Sequence, residues 1–473
     1  MKKFFIYIAI GFVLVAASAP AGAQFIEDAL RYAIPNGMLT PRVAGFNVSY
    51  HGLSDDIGAL MYNPAGLTLP AASEISIGFG FTRNSTETDY LGSKKLMNTN
   101  NEIISNIGLI APIDMKKGKA SIGIGYFLES DFENNMKYDA FNPNNTFIAD
   151  EAANGPDRFY DNIATYLTLA DRNFYTPLQD SLQQTAMIQE KGGIHNITGG
   201  MAFDITENMS VGFSIVGKWG AYKYIRDYTE TDVLHKYEVW DTANFSDIDF
   251  HQLTMKETIF ADISGVSGSI GFQARVLESL RFGVSVKLPT WYEIHEDFSW
   301  NASAEFDNNI FSDSAYIYDG QTSYNVTTPF VYCAGVSFNF QGLTLTGGVE
   351  YTDVTQLEFS DATQKVEELN IDIVQTLTGQ VTYGFGAEYQ LPVFPAFVRA
   401  SYASTTSPYI VNIPNADLTY FSVGGGLYIG EKVRLDALVR WRNISELRTN
   451  YGTTNYTYTK KPMDIGLQLT YRY

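Results

Sequence analysis

Val433-Arg434-Leu435-Asp436-Ala437-Leu438-Val439-Arg440-Trp441 decides how this chain is read. In an extended strand successive side chains point to opposite faces, so Val433, Leu435, Ala437, Val439 and Trp441 form one apolar stripe. Arg434, Asp436 and Arg440 fall on the other face. A dry sandwich core would strand those charges without solvent. A polar lumen accommodates them, which makes the apolar stripe the face that meets lipid. Phe282, Val284, Val286 and Leu288 repeat the pattern against Arg281 and Lys287. Ile75, Ile77, Phe79 and Phe81 alternate in the same way with Glu74, Ser76, Gly78 and Gly80.

These patterns predict an all-β fold, a transmembrane antiparallel β-barrel of about fourteen strands of the ~9–11 residues that cross a bilayer. Short turns at 114–118, 206–208, 277–280, 341–342, 391–395 and 430–431 alternate with longer polar loops, among them 133–191, 226–261 and 301–326. Short turns on one side and long loops on the other is the outer-membrane arrangement. On the last strand Ile465, Leu467, Leu469, Tyr471 and Tyr473 share a face, and the chain stops on an aromatic residue. Such an ending resembles the signal read by the outer-membrane barrel assembly machinery.

Ahead of the strands the pattern changes. Met1-Lys2-Lys3, the apolar run Phe4–Ala17 and Ala21-Gly22-Ala23 read as a signal peptide over 1–23, cut after Ala23, for the general secretory route. Residues 24–72 show no strand alternation. Phe25–Tyr32 suits a short amphipathic helix ended by Pro35-Asn36-Gly37. Ser54 is placed to cap a helix beginning at Asp55. Pro64 biases Asn63 away from the helical region, and Gly66 allows a positive φ at the end of the Asn63-Pro64-Ala65-Gly66 turn. A compact non-strand segment before a barrel is expected to plug it, giving a signal peptide (1–23), a hatch (24–72) and a barrel (73–473).

The formal net charge is −20, so binding of nucleic acid through a basic face is not expected. Cys333 is the only cysteine, which excludes an intrachain disulfide and a lipid-attachment cysteine after the cleavage point. The histidines at 51, 195, 235, 251 and 295 form no helical metal-binding pair, and His295-Glu296 reads as a strand end. Asp307-Asn308-Asn309 to Asp313 lacks the glycine and terminal acid of a calcium loop. No catalytic residue, metal or cofactor is expected, and the protein is read as not an enzyme.

Strand parity puts Lys218, Arg275, Lys287, Arg399 and Arg440 inside the barrel with Glu350, Glu388 and Asp436. Either these cations meet the head group of an anionic ligand, or they pair with the acids and with Glu27, Asp28, Asp55 and Asp56 to hold the plug. In the loop 133–191, Ile163, Tyr166, Leu167 and Ala170 share helical spacing, as do Leu178, Leu182 and Ala186. Those apolar faces suit a capture groove for a hydrophobic molecule or a cap over the barrel mouth.

The segment Arg42–Leu67 resembles the hatch of the long-chain fatty-acid transporter FadL family, which includes aromatic-hydrocarbon importers. The resemblance rests on Ala44-Gly45, Asp55-Asp56, Ala59-Leu60 and Asn63-Pro64-Ala65-Gly66-Leu67. It implies a monomeric outer-membrane barrel taking up a hydrophobic small molecule, a long-chain fatty acid or an aromatic compound. Outer loops would capture the ligand, an apolar pocket would hold it, and a hatch shift would release it laterally past a kinked strand. Gly123 and Gly125 on the third strand are the candidates for that kink. The implied partners are the ligand, outer-membrane lipid and the assembly machinery. One departure stands out: the family's capture groove is associated with loops after the fifth and seventh strands, whereas the longest loop here follows the third. Two other functions occur on such barrels, a shuttle in protein secretion and a barrel-embedded lipid hydrolase. The latter needs a serine and histidine meeting on the outer wall, and spacing nominates no pair.

Overall fold

Period-two alternation becomes a closed wall. The computed structural model describes residues 26–154, 162–237, 249–307, 314–411 and 416–473, so the signal peptide and the segment 308–313 lie outside the described residues. One antiparallel sheet runs round fourteen staves. The first two are β1 (Glu74–Tyr90) and β2 (Ser93–Asp114), and the third joins β3 (Lys119–Asp131) to β4 (Asn134–Asn142). β5 (Leu182–Thr206), β6 (Met209–Thr231) and β7 (Phe250–Leu277) follow. Staves seven and eight are each broken, into β8 (Leu280–Lys287) and β9 (Trp291–Phe306), then β10 (Ser314–Thr327) and β11 (Val331–Phe340). β12 (Leu343–Thr352) leads to the short β13 (Glu358–Ser360), which pairs with β10. β14 (Gln380–Gln390), β15 (Ala396–Thr405), β16 (Leu418–Ile429) and β17 (Val433–Tyr451) precede the last stave, β18 (Thr454–Lys460) with β19 (Met463–Arg472). β19 pairs with β1, Phe79 opposite Leu467 and Phe81 opposite Ile465, and the ring closes.

The outward faces carry the band expected of a membrane barrel. Ile75 and Phe79 on β1, Phe213 and Ile215 on β6, and Leu467 and Leu469 on β19 are exposed. Further along β1 the outward positions turn polar at Arg83, Ser85, Glu87 and Asp89. The wall therefore continues well past the apolar band. β7 alone has 28 residues, far more than a bilayer requires. This corrects the predicted loops between staves. β1 and β2 run on to a tight turn at Leu91-Gly92, half of 226–261 and most of 301–326 is strand, and His295-Glu296 lies within β9. Leu182 and Ala186, read at helical spacing, belong to β5.

Three stretches of chain pack against the inward faces of the ring. The N-terminal segment forms α1 (Ile26–Ala33), α2 (Pro41–Phe46), the 3-10 turn η1 (Asn47–Gly52), α3 (Ala59–Tyr62) and the 3-10 turn η2 (Pro64–Thr68). Its side chains reach the inward faces of staves from all round the ring. Asn47 donates to Ser401 and Ser422, Ser49 meets Thr346, and Asn63 donates to the carbonyl of Phe272. At the long-loop end, α4 (Phe147–Asn154) and α5 (Ile163–Tyr166) fold back into the projecting wall. Ile148, Ile163, Leu167 and Leu178 pack there on Tyr90, Tyr138, Tyr228, Phe250 and Tyr458. A second lid, η3 (Val354–Gln356) and α6 (Gln364–Thr376), packs Val354, Val366 and Ile373 with Ala29 and Leu30 of α1. Of the two readings of loop 133–191, its apolar faces take the part of a cap.

Candidate functional site: a charged cavity above the N-terminal segment

The wall comes unusually close to the N-terminal segment because inward positions at one level are glycine. A Cβ on Gly212 would stand 2.5 Å from the carbonyl carbon of Pro64, and one on Gly335 would strike the backbone of Gly52. Gly123 and Gly125 belong to this set. Added Cβ atoms there would meet Leu60 and Leu67 at Gly123, and Phe127 and Leu60 at Gly125, while β3 keeps regular pairing past both. They make room for side chains and do not bend the strand. The irregularity lies further on, at a register shift between Leu128 and Ser130. Gly37 donates its N–H to the carbonyl of Glu129 there, and Asn36 Oδ1 accepts from the N–H of Asp131. Inward glycine on strand after strand is the signal that reading by charge alone passes over.

The turn is built differently from the sequence reading. Asn63 is extended (φ −145°), as Pro64 requires, and caps η2 by accepting from the Ala65 N–H. Ser54 is left-handed (φ 46°) and caps nothing; Asp56 accepts from the Gly58 N–H ahead of α3, which begins at Ala59. Gly66 is not among the positive-φ residues. It is glycine for room, since a Cβ there would collide with the backbone of Ser54.

Charge ties the segment to the wall. Arg42 grips Asp55 with Nε (2.6 Å) and Nη2 (2.7 Å) and reaches Glu388 on β14 with Nη1 (2.8 Å). Arg399, whose side chain has no exposed surface, pairs with Asp436 (2.5 Å) and Glu388 (3.1 Å), and Arg434 also holds Asp436 (2.8 Å). Among the described residues Asp56 takes no cation at this distance; it accepts from Tyr50 (2.5 Å) and Thr40 (3.2 Å). The side chains of Glu27 and Asp28 lie outside what is described.

Between the end of α1 and the α3 turn lies a partly open cavity of about 200 Å³. Tyr32, Ile34, Leu39, Leu60, Met61 and Tyr62 form the side given by the N-terminal segment, and Val216, Leu288, Pro329, Val331 and Tyr420 line the wall. Lys218, Lys287 and Arg440, three of the five predicted cations, open onto it. Lys218 pairs with Glu129 (2.8 Å) and Lys287 with Glu350 (3.2 Å). Arg440 and Arg442 share Asp464 at 2.8 and 2.9 Å, so two guanidinium groups divide one carboxylate. The other two candidates are elsewhere. Arg399 is sealed into the anchor described above, and Arg275 is exposed at the short-turn end, where it pairs in register with Arg281.

The cap carries a titrating group. Burial pushes the carboxyl of Glu151 on α4 up to about 7, with the neighbouring Asp150 adding to the effect. A free glutamate titrates near ~4.3. Between these values the docked helix holds a proton that the released helix has lost, so docking weakens as pH rises from about 4.5 to about 7 and then levels off. Amides of 147–154 are therefore expected to exchange faster at pH 8 than at pH 5 after correction for the intrinsic rate. Equal protection at both values would refute this.

The outer wall also brings together a serine and a histidine. Ser323 Oγ stands 2.8 Å from His295 Nδ1, and Glu293 lies 3.4 Å from Nε2. The histidine is 61% exposed and the glutamate 65%, so water competes for both contacts of the imidazole.

No family profile and no curated protein sequence matches the chain. Solved structures do match. A Pseudomonas aeruginosa FadL homologue aligns with a TM-score of 0.59 at 12% identity, over 93% of this chain and 99% of that one. The Pseudomonas putida toluene transporter TodX aligns at 0.53 and 10% identity, over 93% and 100%. At such identities the likeness is one of barrel fold.

Proposed function

We propose that the protein is a monomeric outer-membrane channel that takes up a small hydrophobic molecule, with the N-terminal segment as a hatch that must shift to release it. The observation that carries this reading is the cavity, walled by both ends of the N-terminal segment and faced by three cations. Its size narrows the ligand. A dry cavity of roughly 150 Å³ already binds benzene, so about 200 Å³ suits a monoaromatic better than an extended long-chain acyl group. Arg440, in the group where guanidinium outnumbers carboxylate, suits an acidic substituent on that ring. The register shift beside Gly37 supplies a weak point in the wall for lateral release.

The test is saturable binding of labelled benzoate and toluene to purified protein, with a long-chain fatty acid as competitor. Arg440→Gln is expected to weaken benzoate about tenfold and to leave toluene unchanged, a loss of ~1.4 kcal/mol for one charge-assisted contact. Arg442 still holds Asp464 in that variant, so the barrel should assemble. Absence of saturable binding of any apolar ligand to folded protein would favour a role in secretion.

A further inference from the structure

We propose that His51, Cys333 and Glu350 form a site for a thiophilic divalent metal ion, with zinc as its probe, that clasps the N-terminal segment to the barrel wall. Cys333 on β11 and Glu350 on β12 are direct cross-strand partners with both side chains inward. His51 comes from η1, whose backbone reaches the wall only because Gly283 and Gly335 present no Cβ to it. The three ligand atoms lie within 4.8 Å of one another. Glu350 Oε2 stands 3.5 Å from Cys333 Sγ and 3.6 Å from His51 Nε2. Zinc bonds of ~2.0–2.3 Å in a tetrahedron set neighbouring ligand atoms about 3.3–3.8 Å apart. Two edges of such a site are thus already formed.

The hydrogen bonding of His51 supplies an independent observation. Ser285 donates its one hydroxyl proton to the carbonyl of Tyr62 at 2.7 Å. Its oxygen, 3.3 Å from His51 Nδ1, is then left to accept, so Nδ1 carries the proton. Nε2 then carries the lone pair, on an imidazole with no exposed surface; it lies 3.6 Å from Glu350 Oε2, beyond hydrogen-bond range, and has no hydrogen-bond partner among the described residues. A nitrogen lone pair and a carboxylate oxygen at that distance are both satisfied by a cation placed between them. Thiolate with imidazole selects zinc-like ions over calcium or magnesium.

Lys287 now supplies the nearest positive charge, 3.2 Å from Glu350. When a divalent ion binds, Cys333 gives up its proton to solvent, and thiolate and carboxylate together balance the metal. The ammonium becomes surplus and turns toward the cavity it lines. Lys287 is in this sense a competitor for the site. Glu350 also lines the cavity, so a fourth ligand, water or solute, has a route to the ion.

The experiment strips full-length protein in detergent with a chelator and titrates it with zinc, then with cobalt, reading bound metal and the near-ultraviolet thiolate-to-cobalt absorption. One equivalent of metal with that absorption is expected. Cys333→Ser should abolish the band and weaken zinc at least tenfold, in protein whose heat-modifiable migration shows an assembled barrel. Lys287→Met should strengthen zinc at least tenfold, and it decides the matter if the serine variant does not assemble. No stoichiometric metal in either wild type or Lys287→Met would overturn the proposal, with a proton on His51 Nε2 then bridging to the Glu350 carboxylate. Retention of the band in Cys333→Ser would overturn it equally.

Discussion

Removing residues 24–72 together with the cap, 143–181, is expected to turn a silent barrel into an open pore in planar bilayers. A ring of fourteen strands is much wider than the eight-stranded barrels whose side chains fill the lumen. We propose that chain closes it instead, chiefly at two levels, with the smaller lid of η3 and α6 packed between staves as a lesser obstacle. The N-terminal segment occupies the short-turn half, and α4 and α5 pack an apolar core into the long-loop end. Either deletion alone should leave the other level closed and give only a small conductance. The cap can be excised without breaking the wall, because Asn142 and Leu182 are cross-strand partners that a short glycine-rich turn can join. Steps of porin-like size in the double deletion, small ones in the single deletions and none in wild type are the expected pattern. Equal conductance in all four proteins would mean that neither body blocks the lumen.

What could be read from the chain follows from which interactions are local. Wall and apolar band were legible because strand parity needs only neighbours in sequence, as at Val433–Trp441. Strand length was not, because above the bilayer both faces turn polar. Lys94, Asn98, Asn100 and Glu102 face outward on β2 without any apolar contrast to mark them as strand. Leu182 and Ala186 misled for a related reason, since residues four apart share a face in a helix and in a strand alike. Parity placed Lys218, Lys287 and Arg440 inward correctly, but it is blind to depth. The same parity put Arg275 with them, though it stands exposed at the short-turn end. Partners were illegible throughout. Arg42 lies in a segment without periodicity, and its contact with Glu388 spans 346 positions. Likewise nothing local joins His51 to Cys333 and Glu350.

Arg42→Ala is expected to free the N-terminal segment from the short-turn end while leaving the barrel intact. Arg42 holds Asp55 through two short bonds and Glu388 through a third, and its own side chain is 8% exposed. Deleting one partner of a fully buried pair costs about 3–5 kcal/mol, and the cost here is expected below that range because the Asp55 side chain keeps 27% of its surface exposed. Glu388 keeps Arg399 at 3.1 Å, so the orphan is Asp55. It follows that Asp55→Asn in the same chain should recover most of the loss, and the shortfall from additivity measures the pair. Wall stability should not move, since the ladder from β1 to β19 contains neither residue. The readout is proteolysis of the N-terminal segment from the short-turn side, set against heat resistance of the barrel on gels. Faster cleavage at unchanged heat resistance in Arg42→Ala, with near-normal cleavage in the double variant, is the result expected of an electrostatic anchor. If the single variant resists cleavage as wild type does, the glycine-fitted packing of η1 and η2 holds the segment by itself, and the ion pairs serve only to neutralise charges already buried there.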